Sequence, residues 1–576
     1  MSKKGGASSQ PLQRLIVVCR ADPSGRYGWI PDLRAGDVTI TLDRLADTDL
    51  AAREPLPFDD LENWQQRSAA EHRITELLQT IRSHPAVVAA GLGRYTLIEL
   101  VELRLRMEMA RLLRGWTLAR AVDGEALPIC DPAAPAALLM GLRAGLGLDP
   151  AVISYTPPPA LPGSRSRRAL ARPLMRLLGS VSRSADVRIA AVATGKLALA
   201  LGSLSSTQLH AMGVAAMPFP GLDHGNSALL ALRRRLPLLP TYGPRRADLC
   251  PRVELPDQLG LSEPPALDRA LTLLVGRALA GVSRELAQAV AALAGLKRAP
   301  SLRALLLPSA AYGASRLLID WARAHDIRVG AMQHGIYVFR EFDGADRRAD
   351  VVFGWGAATA EQARFWPEPR PEIVPVGVPG TVAPRSPRPS VQVPRRVLIA
   401  TTATLDMPIL PARFCEDFIE VVAPGLALLA AAGVRFALRP HPGEDPQRYV
   451  RLLRAAGLDI EIAAGGPFPA AVATADLLVS SASSVAFEAA ALRAPVLLWL
   501  GDAPGWVRRE HLVSPWAETG PGTFESAADF RLLAAGLLEQ PAETIALAHT
   551  LSRRLARYAE PFDAARFAAG LSALAA

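Results

Sequence analysis

From about residue 300 onward, short apolar runs alternate with stretches in which apolar side chains recur every three or four positions. SLRALLLPSA (301–310) precedes the helically spaced ASRLLIDWARAHD, and a second run, IRVGAMQHG (327–335), follows it. Such runs, bounded by small residues, read as strands buried on both faces. Strand, helix, strand then implies a parallel, right-handed crossover. ADVVFGWG, a helix through AATAEQARFW and the run PEIVPVGVPG continue the series. Each run closes in small residues, as suits a ligand at the carboxyl edge of a doubly wound sheet.

The pattern breaks at 378–396, VPGTVAPRSPRPSVQVPRR, which carries five prolines and no apolar period and reads as a linker. Beyond it, RRVLIATT, a helix near 414–432 and VRFALRPHP open a second α/β unit. DLLVSS, the helix SSVAFEAAALR and the strand APVLLWL extend that unit, and 524–575 is alanine-rich and helical. The expected architecture is therefore α/β, two Rossmann-like doubly wound domains facing across a cleft, with an N-terminal helical region. The predicted bounds are 1–377, the linker 378–396, and 397–576.

The first 300 residues carry a weaker pattern. RLIVVCRADPSG predicts an opening strand and loop, and 64–120 predicts long helices. The most apolar window, VRIAAVATGKLALALGSL (187–204), is interrupted by Arg188 and Lys196. It predicts a buried helix rather than a membrane span, since Lys196 would sit near mid-bilayer. The start, MSKKGGASSQPLQRL, lacks the apolar stretch of a signal peptide. Cys19, Cys130, Cys250 and Cys415 lie more than a hundred residues apart, which predicts reduced thiols in a cytoplasmic protein.

A net charge of +9 and a pI near 9.7 suit an anionic partner: nucleic acid, a phospholipid surface or a phosphorylated substrate. Aromatic residues make up only 6% and do not interleave with the basic ones, which argues against nucleic acid. Two densely basic stretches, 163–184 and 232–246, instead alternate arginine with leucine and proline, a pattern that suits an anionic membrane surface.

Candidate chemistry begins with RPHPGED, Arg439 to Asp445. Pro442 biases His441 toward extended backbone, so the imidazole is presented at the sheet edge, where it can donate to a phosphate oxygen. The other His-Pro pair, His84-Pro85, lies in a helical stretch and reads as structural. Ser480, Ser481, Ser483 and Ser484 fall between an apolar strand and a helix. Hydroxyls and unpaired amides at a helix N-terminus make an anion site, although serines there also serve as simple caps. Glu488 lies one turn beyond Ser484, placed to take ribose hydroxyls.

These two motifs resemble the His-Pro and Ser-Ser motifs of GT-B transferases that use cytidine-nucleotide donors. That group includes bacterial sialyl- and polysialyltransferases, capsule Kdo transferases and teichoic-acid glycerophosphotransferases. RVGAMQHGIY, DVVFGWG and IVPVGVPG resemble the segment before the interdomain linker of the same group, so the resemblance spans about 300–505. It implies an acceptor-side domain before the linker and a nucleotide-sugar-binding domain after it. It also implies donor binding by Arg439, His441, the four serines and Glu488. No metal or other cofactor is expected; the nucleotide-sugar is the substrate, and a glycan or lipid-linked acceptor at the inner face of the membrane is the partner.

On that reading His334, flanked by Gln333 and Gly335, ends a strand of the N-terminal sheet and faces His441. It becomes the candidate base, with Asp343, Glu341 and Asp22 as carboxylate alternatives. Asp47-Thr48-Asp49 lacks a flanking strand and His224 a preceding one, so neither is assigned a role. Three functions stay open at this point. One is a glycosyltransferase of surface polysaccharide, of capsule or lipopolysaccharide type. The others are a polyol-phosphate transferase or sugar-nucleotide epimerase, and a non-catalytic subunit of glycan assembly.

Overall fold

The computed structural model describes residues 13–19, 37–42, 56–57, 64–90, 97–122, 126–130, 134–151, 186–219, 222, 226–239, 253–262, 264–296, 301–311, 313–337, 346–381, 392–402, 414–441, 444, 446–463, 466–481, 483–501 and 520–576.

The chain builds three parallel sheets. The first contains β1 (Gln13–Val18), β2 (Val38–Thr41), β3 (Leu56–Pro57) and β4 (Ala126–Cys130) in the order β3-β2-β1-β4. It was not anticipated: the sequence indicated only its opening strand. The small core of this sheet gathers Leu15, Val17 and Ile40 with Leu118, Leu138 and Leu142.

The second sheet holds β5 (Ile189–Ala191), β6 (Val214–Ala216), β7 (Ala304–Leu307), β8 (Arg328–Met332), β9 (Val351–Gly354) and β10 (Glu372–Pro375), ordered β10-β9-β8-β7-β5-β6. The third holds β11 (Arg396–Ala400), β12 (Arg435–Arg439), β13 (Glu461–Ile462), β14 (Leu477–Ser481), β15 (Val496–Trp499) and β16 (Thr523–Phe524), ordered β13-β12-β11-β14-β15-β16. Two six-stranded parallel sheets covered on both faces confirm the α/β, doubly wound expectation. Burial on both faces explains why β7, β9 and β15 read as unbroken apolar runs.

One prediction is corrected here. The window 187–204 is not one helix but the strand β5, a short connection, and a helix beginning at Gly195. An apolar run by itself does not separate a buried strand from a buried helix, and β5 is only three residues long. The second sheet thus begins near residue 189, well before 300.

Helices α1 (Trp64–Ser83), α2 (Leu97–Leu118), α3 (Ala136–Gly145), α4 (Gly195–Ser203), α5 (Asn226–Arg234), α6 (Pro265–Leu296) and α7 (Gly313–Arg323) surround the first two sheets. One face of the second sheet is covered by α1, α2, α6 and α7, through Leu78, Leu105, Leu271 and Leu317 among others. Its other face is covered by α4, α5 and a helix from the far end of the chain, through Leu197, Ala231 and Phe567. Helix α8 (Phe414–Ala431) and α9 (Ser484–Ala491) pack on the third sheet, and α10 (Ala564–Ala575) is the returning helix. Gly330 admits it closely: a Cβ there would lie 2.7 Å from Leu574 Cδ2.

The chain therefore crosses twice between the second and third sheets, and the two crossings touch. Val378 N donates to Glu560 O at 2.9 Å, and Val378 and Pro561 form a parallel bridge. Gly377 allows this with φ +82°; a Cβ would stand 2.2 Å from Pro561 O. Residues 382–391 of the predicted linker lie outside the described residues. Among the described residues, no helix is long and apolar enough to cross a membrane.

Candidate active site

Each six-stranded sheet reverses its strand order once, between β5 and β7 in the second and between β11 and β14 in the third. Ligands of doubly wound sheets sit outside the carboxyl ends of the strands at such a switch. The two switches meet: Lys196, in the first turn of α4 after β5, donates from Nζ to Glu488 Oε2 at 2.7 Å, and Glu488 belongs to α9 after β14. Lys196 Nζ also lies 5.3 Å from the ring centroid of Trp355, beyond β9.

His334 follows β8 directly, and its neighbours fix the turn that carries it. Gln333 is 1% exposed; its Oε1 accepts from Trp355 N at 2.7 Å and Thr359 Oγ1 at 3.1 Å, while its Nε2 donates to Gly335 O at 2.8 Å. The amide thus braces the loop, and His334 itself is exposed. Gly335 meets the opposite sheet. A Cβ at that position would stand 3.2 Å from Ser484 Oγ, and Ile336 N donates to that same oxygen at 3.5 Å. A side chain at 335 would crowd this contact between the two sheets.

On the third sheet, Glu444 shapes the turn bearing His441. Its Oε2 accepts from Thr401 Oγ1 at 2.8 Å and from His441 N at 3.3 Å, and Tyr449 OH donates to Oε1 at 2.5 Å. His441 itself is exposed. Arg439 turns sideways and donates to Ala463 O at 2.7 Å and Gly466 O at 2.8 Å, so it holds the neighbouring loop. Ser480 is fully buried and donates to Ser481 O at 2.8 Å. The Ser481 hydroxyl is fully buried and has no hydrogen-bond partner among the described residues. Ser483 is the N-cap of α9 in extended backbone, yet its hydroxyl makes no capping bond. An orphaned hydroxyl beside a helix N-terminus has the chemistry to take an anion.

The groups converge electrostatically. Although its ring reaches solvent, the protein packed around His334 removes part of its hydration and holds it below the usual histidine range. Lys196 and His441 push it the same way, whereas Asp346 and Glu488 pull it up. Asp346 went unnoticed in the sequence. It is fully buried behind the His334 loop, where Oδ2 accepts from Tyr337 OH at 2.5 Å. Its Oδ1 accepts from Ser309 Oγ at 3.0 Å and Ala310 N at 2.6 Å. Burial raises its carboxyl, and these three donors oppose that rise.

A pH experiment follows. With its folded value below the unfolded 6.5, His334 stays neutral at pH 7. Its contribution to stability is present above 6.5, declines as pH falls below 6.5 because the unfolded state takes the proton first, and is gone once pH passes the lower folded value. NMR of the ring protons, assigned with His334→Gln, should show a midpoint under 6.5. Asp346→Asn keeps an acceptor for Ser309 and Ala310, and Tyr337 OH can turn to accept from the new amide. It removes the negative charge, so the midpoint should fall further. An unchanged midpoint would mean that His334 does not feel Asp346.

Asp22, Asp343, Glu341, His224 and 47–49 lie outside the described residues, as do both basic stretches apart from 232–239. His84 caps a short helix, its Nδ1 accepting from Ala86 N at 3.3 Å, in keeping with a structural role. Among the described residues, no three His, Cys, Asp or Glu side chains are grouped to hold a metal ion. Lys196, Asp346 and Glu444 are the site residues the sequence did not yield. Only Glu444, three positions after His441, left a local signal, that of an acid placed to bind backbone amides of the preceding turn.

No family model matches the chain, and no curated protein matches it. Three solved structures are loosely similar. A putative UDP-N-acetylglucosamine 2-epimerase from Listeria monocytogenes is 12% identical over 67% of this chain and 94% of its own, with a TM-score of 0.41. The wall teichoic acid polymerase TagF is 10% identical over 72% of this chain and 96% of its own, at 0.36. A GtfA/B complex is 12% identical over 47% of this chain, which spans only 57% of that protein's length, at 0.31.

Proposed function

We propose that the chain is a glycosyltransferase that moves a sugar from a cytidine-nucleotide donor, of CMP type, to a surface glycan or lipid-linked acceptor. One observation carries the reading. The carboxyl edges of two doubly wound sheets converge through Lys196 and Glu488, with the exposed His334 on one side. On the other side stand the exposed His441 and the N-terminus of α9, whose cap Ser483 makes no capping bond. The second side suits the donor phosphate, with His441, Ser483 and Ser484 as its contacts and Glu488 toward the ribose; the buried Ser481 hydroxyl stands behind them. In the step itself, His334 takes the proton of the acceptor hydroxyl as its oxygen bonds the anomeric carbon. The bond from that carbon to the phosphate oxygen breaks, and the nucleotide leaves as an anion beside His441 and Lys196. Asp343 and Asp22 remain alternative bases, and no resident metal is invoked.

A thermal-shift panel of CMP, CDP, UDP and GDP tests the donor class. At a hundred times Kd a nucleotide stabilises its domain by roughly 2.7 kcal/mol, a rise of about 5–10 °C in Tm. CMP or CDP should raise it selectively. A rise with UDP or GDP alone would contradict the cytidine assignment, and CDP-glycerol turnover in place of sugar transfer would favour a polyol-phosphate transferase.

A further inference from the structure

Eight large apolar side chains are exposed among the described residues, and three of them gather on neighbouring helices: Leu199 of α4, and Leu229 and Leu232 of α5. The other five lie elsewhere along the chain, and a grouped apolar patch such as this one calls for a partner. On α5 the inward positions Ser227, Ala228, Leu230 and Ala231 are buried against the second sheet. Asn226, Leu229, Leu232 and Arg233 face outward. Between the helices runs a groove of about 490 Å³, with Leu199, Leu229, Leu230 and Phe562 as apolar walls and Arg233 and Arg234 at its rim. No acidic residue lines it. Arg234 donates to Gly202 O, whereas Arg233 and Arg235 make no ion pair among the described residues.

We infer that this α4–α5 face rests on an anionic lipid bilayer. Aliphatic side chains that dip below the headgroups, bordered by arginines that lack acidic partners, match a phospholipid surface in both polarity and charge. The exposed apolar side chains of the face are all leucines, and the chain carries net charge +9. It also adjoins the cleft: Asn226 Nδ2 donates to Thr194 Oγ1 at 3.3 Å, and Thr194 is the N-cap of the helix that bears Lys196. A lipid-borne substrate would reach the site from that side. The surface stands whether or not the transfer reaction is right.

Flotation with vesicles of phosphatidylcholine and phosphatidylglycerol in equal parts, against phosphatidylcholine alone, tests it. The parent should float only with the anionic vesicles and detach at high salt. Arg233→Glu should weaken binding roughly ten- to thirty-fold, since each charge near the surface is worth about five-fold. Leu229→Ser with Leu232→Ser should weaken it as well. All three positions are exposed, and unchanged thermal unfolding will show that the variants fold. Leu532→Ser with Leu547→Ser removes two exposed leucines elsewhere on the chain and should leave binding intact. Absence of parent flotation at low salt overturns the inference. So does flotation of the folded α5 variants at parental strength, or equal loss in the Leu532 and Leu547 control.

Discussion

Replacing His334 by Ala is expected to lower kcat roughly 10²–10⁴-fold while donor affinity stays within a few-fold. His334 lies just beyond β8, and its loop is braced by Gln333 rather than by His334 itself, so removal of the ring should leave the turn intact. Donor contacts are assigned to the other sheet, which is why binding should survive. The size of the effect follows from the chemistry. A neutral base is needed only as the acceptor oxygen attacks, so its loss falls on kcat and on kcat/KM alike. Lost donor binding with normal turnover at saturation would instead make His334 a donor ligand. Should activity survive the substitution, Asp22 and Asp343 become the bases to test.

What could be read in the sequence follows from burial. Strands β7 to β9 and β11 to β15 run mostly between two layers of helix, so both faces are apolar and the runs stand out against the helical spacing between them. His334, His441 and Ser480–Ser484 were visible for the same reason, since they follow such runs at once. The second sheet's β5 and β6 are three residues each and alanine-rich, too short to show a period. With β5 misread as helix, Lys196 looked like a charge that spoiled a membrane span. In the fold it starts α4 and pairs with Glu488 across 292 positions of sequence. Asp346 sits in a polar, irregular stretch where acids and arginines alternate without pattern. Only the fold brings it to Ser309, Ala310 and Tyr337.

The first 190 residues show the limit most clearly. Their four-stranded sheet has strands separated by long connections, and β3 spans two residues, so neither crossover nor alternation is legible. A glycine beside the candidate histidine gains its meaning only in the fold, where a Cβ at Gly335 would stand 3.2 Å from Ser484 Oγ of the other sheet.

Donor binding by the third sheet is the central claim, and titration of CMP and CDP into the parent and into folded His441→Ala tests it most directly. His441 is presented, exposed, by a turn that Glu444 and Thr401 fasten through its backbone amide. Removing the ring should therefore spare the turn and delete one charge-assisted contact. Such contacts are worth roughly 1.5–3 kcal/mol, so Kd should rise about ten- to a hundred-fold. A folded His441→Ala protein that binds every nucleotide as tightly as the parent would contradict the claim.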